Sequence, residues 1–172
     1  MKKILLALGL VGALQAADHD LYRHSLSLLA NYSFNSDDSY LKDDWGWGMR
    51  YHYNMTTYNP WEIGAIEAAF DYQSRSDYIG GGSSSVYRWG VNALWYADNP
   101  SDLTPYALLG VGAQWFSDEK HGTEDGLFAA IGVGVEYQLR GDLSIVGEGK
   151  WLYGGDESAI VTSVGLKYSF GQ

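Results

Sequence analysis

Charged residues recur within stretches of the chain that are otherwise apolar, at positions that alternate with aromatic and aliphatic residues. An isolated charge is costly to bury, so opposite charges are expected to lie beside one another. The predicted ion-pair network comprises Arg50, Glu67, Asp71, Arg88, Glu136, Glu148 and Lys150, with Lys167 as an eighth charge of the same kind.

The spacing of these charges predicts which of them meet. Arg50 and Glu67 are expected near the middle of two adjacent segments, with Arg88 on the next segment close to Glu67. Glu148 and Lys150 are expected to face them from the other side of the interior. Such a network would be a static core of ion pairs that fills the molecule.

The four histidines do not supply a catalytic site. A nucleophilic site needs a histidine beside a serine or similar group, and no such pair falls on the predicted outer rim. His19 and His24 precede or open the first strand, and His52 points inward near one end. His121 lies among Asp118, Glu119, Glu124 and Asp125, whose spacing fits no recognised metal-binding loop. We therefore predict no enzyme activity, no metal and no cofactor.

Eight segments alternate in the manner of β-strands, in which neighbouring side chains point to opposite faces. Each is close to the 9–11 residues that a tilted membrane-spanning strand needs. The predicted strands cover 24–34, 45–54, 62–73, 85–96, 104–116, 126–139, 143–153 and 159–170.

One face carries no charge in each predicted strand, counted from Ile66 onward in the third, and the eight charges lie on the opposite faces. The apolar faces hold six of the seven tryptophans. An eight-stranded barrel has an interior just wide enough for side chains, and this aromatic set would overfill it. The pattern therefore predicts an all-β, eight-stranded antiparallel up-and-down barrel with its aromatic surface in lipid and its polar surface inside.

Four glycines fall on the inward face of the fifth and sixth strands: Gly110, Gly112, Gly132 and Gly134. They could leave one wall of the interior open, which would suit a narrow channel. Alternatively, they accommodate bulky neighbours and the coiling of the strands.

The connections are predicted to alternate in length. Short turn signals occur at 58–60, 98–101 and 140–142, and longer polar segments at 35–44, 74–84, 117–125 and 154–158. This alternation predicts short periplasmic turns, longer outer loops and both termini in the periplasm. The outer loops would be acidic, with Asp37, Asp38, Asp43, Asp44, Asp77, Asp118, Glu119, Glu124, Asp125, Asp156 and Glu157.

The two ends of the chain carry export and assembly features. Residues 1–16 have a basic start, an apolar run and small residues before Asp18, which predicts a cleaved signal peptide followed by a barrel domain at 17–172. The final strand has a polar residue, a glycine and two aromatics at Ser163, Gly165, Tyr168 and Phe170. It resembles the C-terminal signal that the barrel assembly machinery reads in outer-membrane β-barrels.

The amino-acid composition restricts which chemistry and which binding partners are possible. The chain has no cysteine, which excludes disulfides and thiolate chemistry, and its net charge of −10 argues against nucleic acid. The expected partners are outer-membrane lipid and lipopolysaccharide, with the secretion translocon and the assembly machinery during biogenesis. A monomer is expected.

Segments in the second half of the chain resemble the small outer-membrane β-barrel family. They are Thr104–Tyr106 before Gly110–Gly112, and Gly132–Tyr137 before Asp142–Ser144, in addition to 165–170. That family includes the barrel domain of outer membrane protein A, the X-type proteins and the opacity-type porin-like proteins. The resemblance to the A-type implies a gated ionic plug as an alternative to a static core.

The predicted function is that of an integral outer-membrane barrel of a Gram-negative cell, with a structural or surface-interaction role and a largely closed, ion-paired lumen. The alternative is a narrow porin-like channel for small solutes or ions. Barrel enzymes that modify the acyl chains of lipid A form a distant third possibility.

Overall fold

The chain forms a closed barrel of eight antiparallel strands in sequence order, each paired with its neighbours and the last paired with the first. The computed structural model describes residues 23–35, 44–55, 63–76, 83–97, 101–118, 122–154 and 157–171. The strands are β1 (His24–Asn35), β2 (Asp44–Asn54), β3 (Ala65–Ser76), β4 (Ser83–Tyr96), β5 (Leu103–Asp118), β6 (Gly122–Arg140), β7 (Leu143–Gly154) and β8 (Glu157–Phe170).

The ladder between β8 and β1 closes the barrel. It runs from His24 opposite Phe170 to Asn35 opposite Ala159 without a shift in register. Beyond it, the Arg23 amide donates a hydrogen bond of 2.8 Å to the Gly171 carbonyl. All eight strands therefore have partners on both sides over most of their length, as a closed barrel requires.

The inward and outward faces are those that the alternation predicts. In β2 the residues Trp45, Trp47, Met49, Tyr51 and Tyr53 are exposed, whereas Gly48, Arg50 and His52 between them are buried. The same pattern runs through all eight strands, and every one of the eight predicted interior charges is buried. The apolar surface is thus on the outside, and a mainly polar set fills the inside.

The connections do not show the predicted contrast in length. Ten residues separate β2 from β3, because β3 begins at Ala65 rather than at 62. At the other end, β5 and β6 stay paired as far as Asp118 opposite Gly122, and β7 and β8 as far as Gly154 opposite Glu157. These ladders absorb most of the segments predicted as long loops at 117–125 and 154–158.

Two names are used below for the rims. The terminal end holds residues 23 and 171 and the connections β2–β3, β4–β5 and β6–β7. The loop end holds the connections β1–β2, β3–β4, β5–β6 and β7–β8. The β6–β7 connection is the tight turn Gly141–Asp142, next to an irregularity in the β6 register between Gln138 and Arg140.

In the part of the chain that the structure describes, no helix has both the length and the apolar character needed to cross a membrane.

Candidate functional site: the barrel lumen

Arg50 occupies the centre of the lumen and is almost fully buried, with 1% of its surface exposed. Its Nη2 donates to Asp71 Oδ1 at 2.8 Å, and its Nη1 donates to the Phe70 carbonyl at 2.9 Å. The Nε atom lies 3.5 Å from Glu67 Oε1. Arg50 and Glu67 therefore meet as predicted, but the shortest ion pair of Arg50 is with Asp71.

The carboxylate of Glu67 is held by Asn92 and His52 at shorter distances than by Arg50. Asn92 Nδ2 donates to its Oε1 at 2.5 Å, and His52 Nε2 lies 2.6 Å from its Oε2. The register explains both contacts, because His52 of β2 and Asn92 of β4 are the Cα partners of Glu67. The charge pattern alone did not find these two partners.

Lys150 joins opposite walls of the barrel. From β7, its Nζ atom reaches Asp71 Oδ2 on β3 at 3.2 Å and lies 3.4 Å from Glu148 Oε1. Asp71 also accepts a hydrogen bond of 2.6 Å from Asn31 Nδ2 on β1. Asp71 therefore connects β1, β2, β3 and β7 across the lumen.

The prediction that Arg88 lies close to Glu67 was wrong. Arg88 is the Cα partner of Asp71, two inward-facing positions closer to the loop end than Asn92, which takes the place opposite Glu67. Its Nη1 donates to Gln73 Oε1 at 2.6 Å, and its Nε donates to Gln114 Oε1 at 3.2 Å. The charge pattern did not specify the register between β3 and β4, which places Asn92 rather than Arg88 opposite Glu67.

A second group of contacts lies nearer the terminal end. Lys167 Nζ donates to Glu136 Oε2 at 2.7 Å and lies 5.6 Å from the centre of the Tyr96 ring, an arrangement that favours a cation–π interaction. Tyr96 packs against Tyr106, whose hydroxyl donates to Glu148 Oε2 at 3.2 Å. This group connects the Lys167–Glu136 pair to the central network through Glu148.

The four inward glycines do not form an open wall. A Cβ atom on Gly134 would collide with the Tyr106 ring, and one on Gly110 would collide with the Asn92 side-chain oxygen. At Gly112 a Cβ would lie 2.5 Å from Phe128 Cζ, and at Gly132 it would lie 2.8 Å from Lys150 Cβ. The glycines therefore make room for bulky neighbours that fill the lumen.

The charges of the lumen balance. The buried set contains four basic side chains and four carboxylates: Arg50, Arg88, Lys150 and Lys167, and Glu67, Asp71, Glu136 and Glu148. The net charge of −10 is therefore carried by residues other than these eight. Among the described residues, no three side chains of the metal-ligating types come together, and His121 lies outside these residues.

The residues of the predicted C-terminal signal take up both faces of β8. Tyr168 and Phe170 are exposed on the outward face, and Ser163 is buried on the inward face. Gly165 also points inward, where a Cβ would contact Leu29 Cδ2 at 2.7 Å. Phe170 stacks on His24 with ring centroids 5.7 Å apart, across the seam that closes the barrel.

Comparison with protein families decides what kind of barrel this is. Residues 4–170 match the model of the outer membrane protein β-barrel domain. The chain belongs to this outer-membrane β-barrel family. The protein is accordingly located in the outer membrane, and its outward aromatic surface contacts lipid.

Solved structures with the same fold include several outer-membrane barrels. Neisserial surface protein A (NspA) is 16% identical, with a TM-score of 0.64, and the match covers 86% of this chain and 97% of NspA. Ail, the attachment invasion locus protein of Yersinia pestis, is 19% identical, with a TM-score of 0.60 and the same coverage. OprG from Pseudomonas aeruginosa is 12% identical, with a TM-score of 0.61, covering 93% of this chain and 99% of OprG. No curated protein matches the chain.

Proposed function

We propose that this protein is a non-conducting outer-membrane barrel that acts at the cell surface through its loop end. The observation that carries the proposal is the filled, charge-balanced lumen. Arg50, Glu67, Asp71 and Lys150 are buried and mutually connected, and bulky side chains fill the space beside the inward glycines. A filled lumen of this kind stabilises the barrel. The rim is then the surface that remains available for interactions with other molecules.

The proposed orientation places both termini in the periplasm and the loop end outside the cell. The predicted signal peptide at 1–16 and the acidic sequence of the loop-end connections support it, whereas the lengths of the connections do not. Carboxylates at this rim would repel lipopolysaccharide phosphates unless divalent cations bridge the two. We propose that lipopolysaccharide lies beside the barrel, with divalent cations between its phosphates and these carboxylates. We also propose that the translocon and the barrel assembly machinery are partners during biogenesis, and that the final state is a monomer.

Two of the solved relatives support a surface role. NspA is named as a surface protein, and Ail is named for attachment and invasion and has been solved with the heparin analogue sucrose octasulfate. Enzymatic activity is not proposed, because His52 is engaged with Glu67 inside the barrel and His24 is packed among aromatic rings.

Conductance across a planar bilayer tests the proposal. The protein is refolded, its barrel is verified by its shifted migration before boiling, and single insertions are recorded next to a large-pore porin as positive control. We expect no conductance steps above background. Regular steps from the wild-type protein would instead support the narrow channel.

A further inference from the structure

Three buried polar side chains form a row on the inner wall beside the ladder that closes the barrel. Ser163 of β8 is the Cα partner of Asn31 on β1 and of Glu148 on β7. The three residues have 0% to 7% of their surface exposed. Among the described residues, Asn31 Oδ1, Ser163 Oγ and Glu148 Oε1 have no hydrogen-bond partner. Such atoms are rare in folded proteins, because burial without a partner forfeits the hydrogen bonds made with water.

The other polar atoms of two of these side chains are already bonded. Asn31 Nδ2 donates to Asp71 Oδ1 at 2.6 Å, and Glu148 Oε2 accepts from the Tyr106 hydroxyl at 3.2 Å. These bonds hold both side chains in place. Neither can turn its remaining oxygen toward another group without losing the bond that it has.

The basic groups near Glu148 are engaged more closely elsewhere. Lys150 Nζ lies 3.4 Å and Arg50 Nη2 lies 3.9 Å from Glu148 Oε1. Both nitrogens are nearer to Asp71, at 3.2 Å and 2.8 Å. Glu148 Oε1 therefore has cations in its surroundings but lacks a hydrogen-bond donor.

The three oxygens together specify the chemistry of a ligand. Asn31 Oδ1 and the ionised Glu148 carboxylate accept hydrogen bonds only, whereas the Ser163 hydroxyl can donate one. A ligand with two donors and one acceptor satisfies all three. An anion would meet two acceptors. A cation would disturb a lumen whose four basic side chains already balance four carboxylates, and it would lie close to Lys150 and Arg50.

We propose that Asn31, Ser163 and Glu148 bind one structural water molecule. The water donates to Asn31 Oδ1 and Glu148 Oε1 and accepts from the Ser163 hydroxyl, and buried waters typically make about three such bonds. It bridges β7, β8 and β1 from the inside, across the closing ladder, and connects β8 to Asp71 through Asn31. The inference goes beyond the proposed surface role and does not depend on it.

A crystal structure of the refolded protein, at a resolution that shows ordered waters, tests the site directly. We expect one peak of density within about 3.2 Å of all three oxygens. Crystals grown with rubidium or with bromide identify an ion by its anomalous scattering, and we expect no anomalous signal at this peak.

A variant that carries the two donors itself should replace the water. Ser163→Asn places an amide group, with two N–H donors, beside Asn31 Oδ1 and Glu148 Oε1. We expect the peak to disappear and the midpoint of urea unfolding from lipid vesicles to stay at the wild-type value. The matched control is Ser33→Asn, on the same inner wall, because Ser33 is fully buried and already has an interaction partner. Overpacking should lower the midpoint of this control by about 0.5–1 M urea.

Three results would overturn the proposal. The first is a wild-type structure in which Ser163 bonds directly to Asn31 and no density joins the three oxygens. The second is an anomalous signal that assigns the peak to an ion. The third is an equal loss of stability in Ser163→Asn and Ser33→Asn, since an asparagine at 163 would then have found no space that a water had filled. The wild-type crystals decide the question even where a variant does not assemble, and none of these results depends on whether the lumen conducts.

Discussion

The carboxylate of Asp71 accepts hydrogen bonds from three side chains on three other strands: Arg50, Lys150 and Asn31. Replacing it with asparagine would leave two buried cations without their shared carboxylate. Removing one partner of a buried ion pair typically costs about 3–5 kcal/mol. We expect Asp71→Asn to lower the free energy of unfolding in urea from lipid vesicles by an amount in that range.

The exposed Asp125 provides a matched control, because Asp125→Asn makes the same chemical change outside the lumen and should leave stability within about 0.5 kcal/mol of wild type. A double-mutant cycle of Asp71→Asn with Arg50→Met should show a coupling energy above about 0.5 kcal/mol. Additive effects of the two changes would mean that the side chains do not interact in the membrane.

The inward and outward glycines should respond differently to a methyl group. Gly134→Ala would drive a Cβ into the Tyr106 ring, and overpacking of this kind typically costs about 1–3 kcal/mol. Gly149 faces outward, with nothing within 4 Å of a Cβ, so Gly149→Ala should be neutral or slightly stabilising. The same urea unfolding assay compares the two, and equal stability would show that Tyr106 is not held against Gly134.

At the scale of the strands, alternation alone was enough to predict the fold. The rule that the outward face of each strand carries no charge assigned all eight charges to the interior. The structure places all eight there. The contacts among them depend on register, which the pattern did not specify. Glu67 meets His52 and Asn92 rather than Arg88 because the β2–β3 and β3–β4 registers place these two residues opposite it. Neutral polar residues such as Asn92 give no signal in sequence that separates them from ordinary interior residues.

The last strand allows a test of the predicted assembly signal. Phe170 on β8 and Phe34 on β1 are both outward-facing aromatics, 39% and 44% exposed, so each buries a similar surface against its neighbours. Phe170→Ala should reduce the amount of assembled protein in the outer membrane far more than Phe34→Ala. Quantitative blots of unboiled membrane samples measure the difference. Equal losses would assign the effect to ordinary burial, at roughly 25 cal/mol per Å².

For the molecule as a whole, closure is the property that an experiment can test most directly. Every strand of the ladder from β1 through β8 and back to β1 is hydrogen-bonded to two neighbours, and in lipid an opened seam would leave backbone groups without partners. Such a structure should open only when all its ladders fail together.

We therefore expect the refolded protein to resist SDS at room temperature and to migrate differently before and after boiling. A variant with proline at Leu28, where β1 pairs with both β2 and β8, should lose this difference, because proline removes a ladder hydrogen bond. Proline at Asp125, which is exposed and lies outside the β6–β7 ladder that begins at Ala129, should keep it. Identical migration of the wild type before and after boiling, with the protein in the soluble fraction, would contradict a closed membrane barrel.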